Sequence, residues 1–183
     1  MADSAPMNTL PPLDPAGPHL PGFRLAVRFA MSRFGRWFGI HVASRLDPIL
    51  MRISGGRLST FLVARLVIVS VPGRKSQIVR TTPLLYFTQG DEVIIIASSF
   101  GRERHPAWYR NVMAHPEVEL RAGGRGGPYV ARETEGEERE RLYRLAAQLY
   151  PGYDEYAIRA AGANRTIAVL ALRPAAQGRH RDG

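Results

Sequence analysis

The sequence predicts an α+β domain built on a mainly antiparallel sheet or small barrel. Six strand-like runs occur between residues 66 and 174, and short turns join several of them directly. No regular strand-helix-strand repeat is found, as a parallel sheet would require. With 183 residues and 45% hydrophobic content, the chain has the size and composition of one domain with a real core. We therefore expect residues 23–174 to form a single domain.

The N-terminal region is predicted in two parts. Residues 1–22 contain six prolines and no helical or alternating period, which indicates a disordered arm with nothing to bury. Residues 23–41 are expected to form an amphipathic helix. Its apolar face consists of Phe23, Val27, Ala30, Phe34 and Trp37. This face favours docking on its own domain or a second subunit, and peripheral contact with the inner face of the membrane is the alternative.

An antiparallel meander is predicted over residues 66–98, after a short helical region near 44–64. The β-branched run LVIVSV indicates a buried strand, and Pro72-Gly73 opens a turn into the strand IVRTTPLLYF. A second turn, Gln-Gly-Asp, leads into the strand EVIIIAS. Pro83 is expected at a sheet edge or bulge, because proline gives no amide to the ladder.

The second half of the domain adds helices and three further strands. HPAWYRNVMAHP predicts a short helix with Pro106 at its first position. VELR and YVARETE are predicted strands joined by a glycine-rich turn over residues 123–127. Thr134 and Glu137 predict a capping box for the next helix. TIAVLALRP is the last predicted strand, and residues 175–183 are expected to form a disordered tail.

Charge and composition favour anionic partners and exclude several kinds of site. The net charge of +9 favours nucleic acid, a membrane surface, or a phosphorylated or polycarboxylate ligand. Without cysteine, the chain forms neither a disulfide nor a thiolate nucleophile. The histidines lack metal-ligand spacing, and no Gly-x-Ser-x-Gly, Walker or Gly-x-Gly-x-x-Gly motif is present. With no apolar run of 18 residues and no secretion signal, we expect a cytoplasmic protein.

The turn between the first two predicted strands is the strongest candidate for ligand binding. It carries Arg74, Lys75 and Ser76, and Arg80 follows shortly after. Lys75 is the only lysine beside 24 arginines. A tight turn exposes backbone amides, and clustered cations with a hydroxyl suit a phosphate or a carboxylate tail. A basic turn that serves solubility alone is the alternative.

Two aromatic clusters are candidates for the wall of the same site. Trp108 and Asn111 are three residues apart on the predicted helix, so an apolar surface and an amide share one face. The alternative is that Trp108 is core and Asn111 caps a nearby backbone group. Tyr150, Tyr153 and Tyr156 either bury as core or line a pocket for a flat ring, with hydroxyls that donate hydrogen bonds or protons.

Taken in order, these motifs resemble those of the deazaflavin-dependent nitroreductases and related quinone reductases of actinobacteria. The resemblance covers residues 40–174. It rests on GRKS at 73–76, RTTPL at 80–84, AS at 97–98, HPAWYRN at 105–111 and YPGY at 150–153. It implies a six-stranded split β-barrel that binds coenzyme F420, an 8-hydroxy-5-deazaflavin with a phosphate and an oligoglutamate tail. The implied reaction is hydride transfer from the reduced cofactor to a quinone-like, nitro or other conjugated small molecule.

The resemblance also implies roles for individual residues. The anionic tail of the cofactor is expected at Arg74, Lys75, Ser76 and Arg80. The residues expected beside the ring are Thr82, Pro83 and Leu84. Those expected at its phosphate and ring side are Ala97, Ser98, Ser99 and Gly101, and those that close the pocket are Trp108 and Asn111. The catalytic residues, which border the acceptor or polarise its oxygen and pass a proton, are expected to be Tyr150, Tyr153, Tyr156 and Ser98.

Two residues of this chain depart from the family pattern. Leu85 stands where the activating nitroreductase has a tyrosine, and Phe100 replaces a small residue. These changes argue against turnover of bulky nitroimidazoles and predict narrower access to the ring.

A non-catalytic protein that binds or sequesters F420 is the alternative function. A nucleic-acid-binding barrel is disfavoured, because the exposed aromatic strand pattern that stacks on bases is missing. A homodimer and a monomer both stay open.

Overall fold

The computed structural model describes residues 10–15 and 66–175, and its main feature is a closed barrel of six antiparallel strands. The strands are β1 (Leu66–Pro72), β2 (Val79–Gln89), β3 (Glu92–Ile96), β4 (Glu117–Ala122), β5 (Arg125–Glu133) and β6 (Val169–Pro174). Their order around the barrel is β1, β2, β3, β6, β5, β4, and β4 pairs back with β1. The predicted α+β class and the six-stranded barrel are confirmed.

Three α-helices connect strands within the described residues. Helix α1 (Ala107–Ala114) lies between β3 and β4, while α2 (Gly136–Leu149) and α3 (Gly152–Gly162) lie between β5 and β6. Pro106 is the N-cap of α1 and does not fill its first position, which corrects the sequence-based boundary by one residue. The helices predicted at 23–41 and 44–64 lie outside the described residues.

The barrel interior is filled by alternate residues of its strands. β1 buries Val67, Val69 and Val71 and leaves the residues between them partly exposed, as expected where one face of a strand meets a core. Trp108 and Val112 of α1 belong to the same core. Helix α1 is therefore fastened to the barrel by its apolar face, which fixes the position of its polar residues.

A second core lies between the outside of the barrel and helices α2 and α3. Ile94 and Ile96 of β3 pack there with Leu142 of α2 and Tyr156 of α3. The intervening residue Ile95 belongs to the barrel interior. Because β3 is buried on both faces, its sequence is a continuous apolar run without alternation.

Residues 10–15 bind the barrel, so the prediction of an arm with nothing to bury is wrong for this segment. Leu10 is 5% exposed and belongs to the barrel core. Its N–H donates to Tyr129 Oη at 3.2 Å. Thr88 N–H donates to Leu13 O at 2.9 Å, and Leu13 N–H donates to Thr88 Oγ1 at 2.9 Å. Leu10 and Leu13, which both pack against the core, are separated by two prolines and carry no period, so the pattern could not reveal their burial.

The glycine-rich turn is shorter than predicted. Only Gly123 and Gly124 form the turn, with φ angles of +57° and +79°. Gly126 and Gly127 instead lie in β5 and pair with β4. A Cβ on Gly126 would lie 2.2 Å from the carbonyl oxygen of Leu120, so glycine is needed there for close strand contact.

The predicted capping box of the second helix is not formed. The Thr134 hydroxyl donates to the carbonyl oxygen of Val169 at 3.1 Å, and the N-cap of α2 is Glu135, without a side-chain cap. Thr134 is buried, and a buried strand carbonyl takes a donor when one is in reach. At the other terminus, Ala175 N–H donates to Pro128 O at 2.9 Å, so the predicted tail is attached at its first residue.

Two kinds of feature are absent from the described residues. None of their helices combines the length and the apolar composition needed to cross a membrane. In the same part of the chain, no group of three or more histidine, aspartate or glutamate side chains is placed to hold a metal ion.

Candidate functional site

The strand registers bring the predicted site segments to one end of the barrel. Pro72 pairs with Val79, so β1 ends and β2 begins there. Ile96 pairs with Val169, so β3 ends and β6 begins at the same end, because β3 and β1 run in the same direction. Helix α1 leads into β4, which runs antiparallel to β1 and therefore also starts here. We call this the upper end of the barrel.

The basic hairpin, residues 73–78, joins β1 to β2 at the upper end. Its backbone closes through Gly73 N–H to Ile78 O at 2.9 Å and through Gln77 N–H to Gly73 O at 2.8 Å. Gln77 has a φ of +55°, which completes the tight reversal. Residues 74–80 are all exposed; the polar or charged candidates among them are Arg74, Lys75, Ser76 and Arg80, and Ile78 and Val79 are exposed beside them.

Helix α1 supports the hairpin from the side. Asn111 Oδ1 accepts the N–H of Arg74 at 3.2 Å. Trp108 is 9% exposed and packs in the barrel core. These are the contacts of the alternative interpretation of the sequence, in which Trp108 is core and Asn111 binds a backbone group. Their contact with a cofactor stays a prediction.

The pairing between β2 and β3 stops short of the upper end, and we call this gap in the ladder the split. β2 pairs with β3 only from Tyr86 to Gln89, whereas its upper half pairs with β1. If the β2–β3 register continued, Ala97 would lie opposite Leu84 and Ser98 opposite Pro83, but β3 ends at Ile96. Within the described strands, Pro83 therefore has a neighbour on one side only, which confirms the prediction of an edge position. Thr82, Pro83 and Leu84 lie on one side of this split, and the turn after β3 follows the other.

The turn after β3, residues 98–101, has an unusual backbone. Ser99, Phe100 and Gly101 have φ angles of +49°, +55° and +74°. They follow Ser98, which is right-handed with φ −66° and ψ −40°. A change from right-handed to left-handed backbone directs successive N–H groups to one side, an arrangement that binds anions. Left-handed backbone costs a non-glycine residue about 1–2 kcal/mol, so neighbouring contacts must hold the turn.

Helix α3 is one of these contacts. A Cβ on Gly101 would lie 2.7 Å from the carbonyl oxygen of Tyr156, so glycine is required at this close approach. The Phe100 ring meets the Tyr156 ring edge to face at 5.7 Å between centroids. The turn after β3 and α3 therefore form one packed unit.

The three tyrosines of the candidate site lie together at the start of α3. Tyr150 precedes the helix, and its hydroxyl oxygen lies 3.2 Å from that of Tyr156. Tyr153 packs against both rings, with centroids 5.4 Å from Tyr150 and 6.2 Å from Tyr156. Tyr153 and Tyr156 are buried in the outer core, whereas Tyr150 is partly exposed. Of the three, Tyr150 is therefore the most accessible to solvent.

The environment of two of these tyrosines keeps their hydroxyls protonated. Burial raises the pKa of Tyr156, and the hydrogen bond with Tyr150 raises it further. Burial also raises the pKa of Tyr153, with a smaller contribution from Tyr150. Both phenols are therefore protonated at neutral pH and can donate hydrogen bonds.

Arg165 belongs to the upper end but was not predicted from the sequence. It lies between α3 and β6 and is 7% exposed. Its guanidinium donates to Ala97 O at 3.1 Å and to Ser98 O at 2.6 Å. Burial lowers the pKa of Arg165, because the charge is taken out of water. Its position just before an apolar strand is only a weak indication of a special role, because the chain contains 23 other arginines.

His105, Tyr109 and Glu133 form a second polar group near Arg165. Tyr109 Oη donates to Glu133 Oε2 at 2.7 Å, and His105 stacks on Tyr109 with 4.5 Å between ring centroids. Burial lowers the pKa of His105 and the charge of Arg165 lowers it further, while Glu133 opposes them. Burial and the Glu133 contact raise the pKa of Tyr109 to about 12. At neutral pH, His105 is therefore uncharged.

Comparison with known proteins identifies a family that the chain resembles. Residues 44–174 match the sequence model of the family described as F420H(2)-dependent quinone reductase. The F420H(2)-dependent quinone reductase Rv1261c of Mycobacterium tuberculosis (strain ATCC 25618 / H37Rv) is 34% identical over 93 residues, which cover 48% of this chain and 62% of that protein. The chain thus spans less than two thirds of that relative. Rv3178 of the same strain is 34% identical over 101 residues, or 55% of this chain and 82% of its own.

Solved structures show the same fold. The structure of an F420-H2 dependent reductase, FDR-A, matches with a TM-score of 0.54 and 36% identity, covering 60% of this chain and 94% of its own. A second structure, described as a domain-swapped dimer, matches with a TM-score of 0.56 and 31% identity, covering 75% of this chain and 98% of its own.

Proposed function

The chain belongs to the F420H(2)-dependent quinone reductase family, and we propose that it binds coenzyme F420 at the upper end of the barrel and reduces a quinone-like acceptor there. One observation carries this proposal. The antiparallel registers bring the basic hairpin, the split between β2 and β3, and the turn after β3 to the same end of the barrel. A flat cofactor with an anionic tail needs these three features together.

The charges of the upper end fit the tail of the cofactor. Arg74, Lys75 and Arg80 are exposed, and none of them forms an ion pair with another residue in the described part of the chain. Unpaired cations on a supported turn attract a polyanion without first giving up a partner. We assign the oligoglutamate tail to these three residues and to the hydroxyl of Ser76.

The split and its borders fit the ring and the phosphate. We assign the ring to the space beside Thr82, Pro83 and Leu84, with Trp108 and Asn111 closing the site. We assign the phosphate side to the turn after β3, whose right-handed to left-handed backbone suits an anion. The residues given this role are Ala97, Ser98, Ser99 and Gly101.

The chemistry is divided between the cofactor and the chain. When bound, the reduced deazaflavin supplies the hydride. The chain binds and orients the cofactor, and its upper end lines the acceptor site. We propose that Ser98 polarises the acceptor oxygen and that the hydrogen-bonded pair Tyr150 and Tyr156 supplies a proton, with Tyr153 completing the tyrosine cluster. The hydroxyl oxygens of Tyr150 and Tyr156 lie 3.2 Å apart, so the buried Tyr156 can pass a proton to the acceptor through Tyr150.

The family indicates the class of acceptor, and the residues around Phe100 indicate its size. Quinone-like acceptors are the best match to the family, while nitro and other conjugated compounds are further candidates. Phe100 is 43% exposed and its ring lies against Tyr156, so it narrows the approach to the tyrosines. We therefore propose a preference for flat acceptors over bulky nitroimidazoles, to which the replacement at Leu85 also contributes.

Assembly and location complete the proposal. The similarity to a structure described as a domain-swapped dimer supports a homodimer. We propose a cytoplasmic enzyme. We also propose that residues 23–41 contact the membrane surface, which would bring the enzyme to lipid-soluble quinones. The sequence of that segment supports this step, since it is basic and amphipathic.

Fluorescence titration with F420, followed by an assay of the reduced cofactor with menadione, tests the function. Binding together with menadione-dependent oxidation of the reduced cofactor supports the proposal. Tight binding without hydride transfer to menadione or other common quinones would instead identify a binding or sequestering protein. Absence of binding, or a nucleic-acid gel shift at physiological salt, would contradict it.

A further inference from the structure

We propose that Arg165 is a positioning residue that holds open the split between β2 and β3. It acts through the backbone of Ala97 and Ser98, and it does not touch the acceptor. Its effect on catalysis rests on the proposed function, because the split is where we assign the cofactor ring. Its effect on the backbone stands independently of any ligand.

Ala97 marks the point at which β3 leaves β2. The Ala97 N–H donates to Ala168 O at 2.9 Å, so Ala97 still faces the β6 side of the barrel. Successive residues of a strand direct their N–H and C=O groups alternately to the two neighbouring strands. A continued β3 would therefore turn the groups of Ser98 towards β2, where the register places Pro83 opposite.

Pro83 cannot continue the ladder. It has no N–H, so a Ser98 carbonyl directed at it would lack a donor. In the structure, Ser98 departs from strand geometry and its carbonyl oxygen accepts from Arg165 Nη2 at 2.6 Å and from Gly101 N–H at 2.9 Å. A missing donor on β2 and a strong donor on the opposite side thus favour the same conformation.

The backbone of Arg165 is held in place by contacts of its own. Its N–H donates to Ala160 O at 2.9 Å, at the end of α3, and the preceding Asn164 has a φ of +52°. The same guanidinium then bonds Ala97 O and Ser98 O from one buried position. Burying a charge without an acidic partner is unfavourable unless its hydrogen bonds are strong, and charge-assisted bonds to two carbonyls are of that kind. The result is a rigid link from α3 to the turn after β3.

A general structural role would predict a different result from a positioning role. Arg139 offers the matched control, because its Nε and Nη2 donate to Ile167 O at 3.2 and 2.8 Å and its guanidinium lies over the Tyr143 ring. Arg139 thus makes the same type of contact between arginine and a backbone carbonyl, but on the outer layer. Its loss should lower stability without changing the split.

Amide hydrogen exchange tests the backbone part of the proposal on the full chain without ligand. The reporters are the N–H groups of Gly101 and Arg102, which bond Ser98 O and Ser99 O. Arg165→Met should raise their exchange rates by about tenfold or more, while the strand amides of β3 change by less than about threefold. Arg139→Met should leave both reporters unchanged.

Two further variants keep the test decisive if Arg165→Met does not fold. Arg165→Lys keeps a charged donor and should raise the exchange of the reporters less than Arg165→Gln, whose amide reaches only one carbonyl. Unchanged reporter exchange in Arg165→Met, or in both Arg165→Lys and Arg165→Gln, would overturn the proposal. So would an equal increase in Arg139→Met.

Steady-state kinetics test the catalytic part. Arg165→Met should lower kcat by about tenfold with the acceptor KM changed less than about twofold, and Arg165→Lys should recover part of the loss. A fall in kcat no larger than in Arg139→Met would overturn the positioning role in catalysis. If the unaltered protein neither binds nor oxidises reduced F420, the proposed function fails, while the exchange measurement still decides whether Arg165 holds the split.

Discussion

Asn111 on α1 holds the backbone of Arg74 in the basic hairpin, with 3.2 Å between Asn111 Oδ1 and the Arg74 nitrogen. The two residues are 37 positions apart, and the contact joins the hairpin to a helix that is itself anchored in the barrel core by Trp108. The cations of the hairpin are therefore presented by a supported turn. Their position depends on the barrel as well as on the local chain.

The first prediction concerns this contact. Asn111→Ala removes one exposed hydrogen bond, which contributes about 0.5–1.5 kcal/mol to holding the hairpin, so F420 should bind about two- to tenfold more weakly. Met113→Ala on the same helix is the control, because Met113 is 44% exposed. Fluorescence titration measures both, and equal affinities in the two variants would show that Asn111 supports neither the hairpin nor the cofactor.

The second prediction concerns proton supply. Tyr156→Phe keeps the ring and removes the hydroxyl that lies 3.2 Å from that of Tyr150. We expect kcat to fall about tenfold or more, with cofactor affinity nearly unchanged. Tyr143→Phe is the control. It removes a hydroxyl that donates to Tyr153 O at 2.7 Å and should lower stability by about 1 kcal/mol without changing kcat. A Tyr156→Phe enzyme with full kcat would exclude this proton route.

The third prediction is a pH dependence of stability. The pKa of His105 is lowered in the folded state, so the unfolded state binds its proton more readily. Stability should therefore be unaffected well above the unfolded pKa of about 6.5 and should fall as the pH drops below it. His105→Gln should lose less stability than the unaltered protein between about pH 7 and pH 5. Urea unfolding at the two pH values measures this, and identical losses would contradict the lowered pKa.

The fourth prediction concerns the N-terminal segment. Leu10 is buried in the barrel core, so Leu10→Ala should lower the free energy of unfolding by about 2–5 kcal/mol. Ile158→Ala is the control, because Ile158 is 75% exposed and its truncation should change stability by less than about 0.5 kcal/mol. Equal effects in denaturant unfolding would mean that residues 10–15 do not contribute to the fold.

Local patterns predicted the strands well. Each alternating apolar run was long enough to show a strand with one buried face, and each continuous run was long enough to show a strand buried on both faces. They failed where one residue acts through a distant backbone group. Thr134 resembles a helix cap but donates to Val169 O, and Leu10 fills the core from between prolines. Arg165 has no pattern at all, since only the closed barrel brings it to Ala97 and Ser98. Pro83, by contrast, was predictable, because its missing amide restricts it to an edge.

The same distinction applies to the candidate site. The cations and aromatic residues were identified from the sequence as three clusters. Their convergence on the upper end depends on the β1–β2 and β3–β6 registers, which no single segment encodes. Likewise, the core position of Trp108 and the contact of Asn111 with the Arg74 backbone became visible only once helix α1 was placed against the barrel, while their contact with a cofactor stays a prediction.

The central claim is that the basic hairpin holds the anionic tail of F420. The direct measurement is the affinity of Lys75→Ala/Arg80→Ala for F420 at low and high salt, by fluorescence titration. The control is Arg125→Ala/Arg144→Ala, which removes the same charge from two exposed positions at the far end of the barrel and on α2. We predict at least about tenfold weaker binding and a shallower salt dependence for the hairpin variant alone. Unchanged affinity, or an equal loss in the control, would contradict the claim.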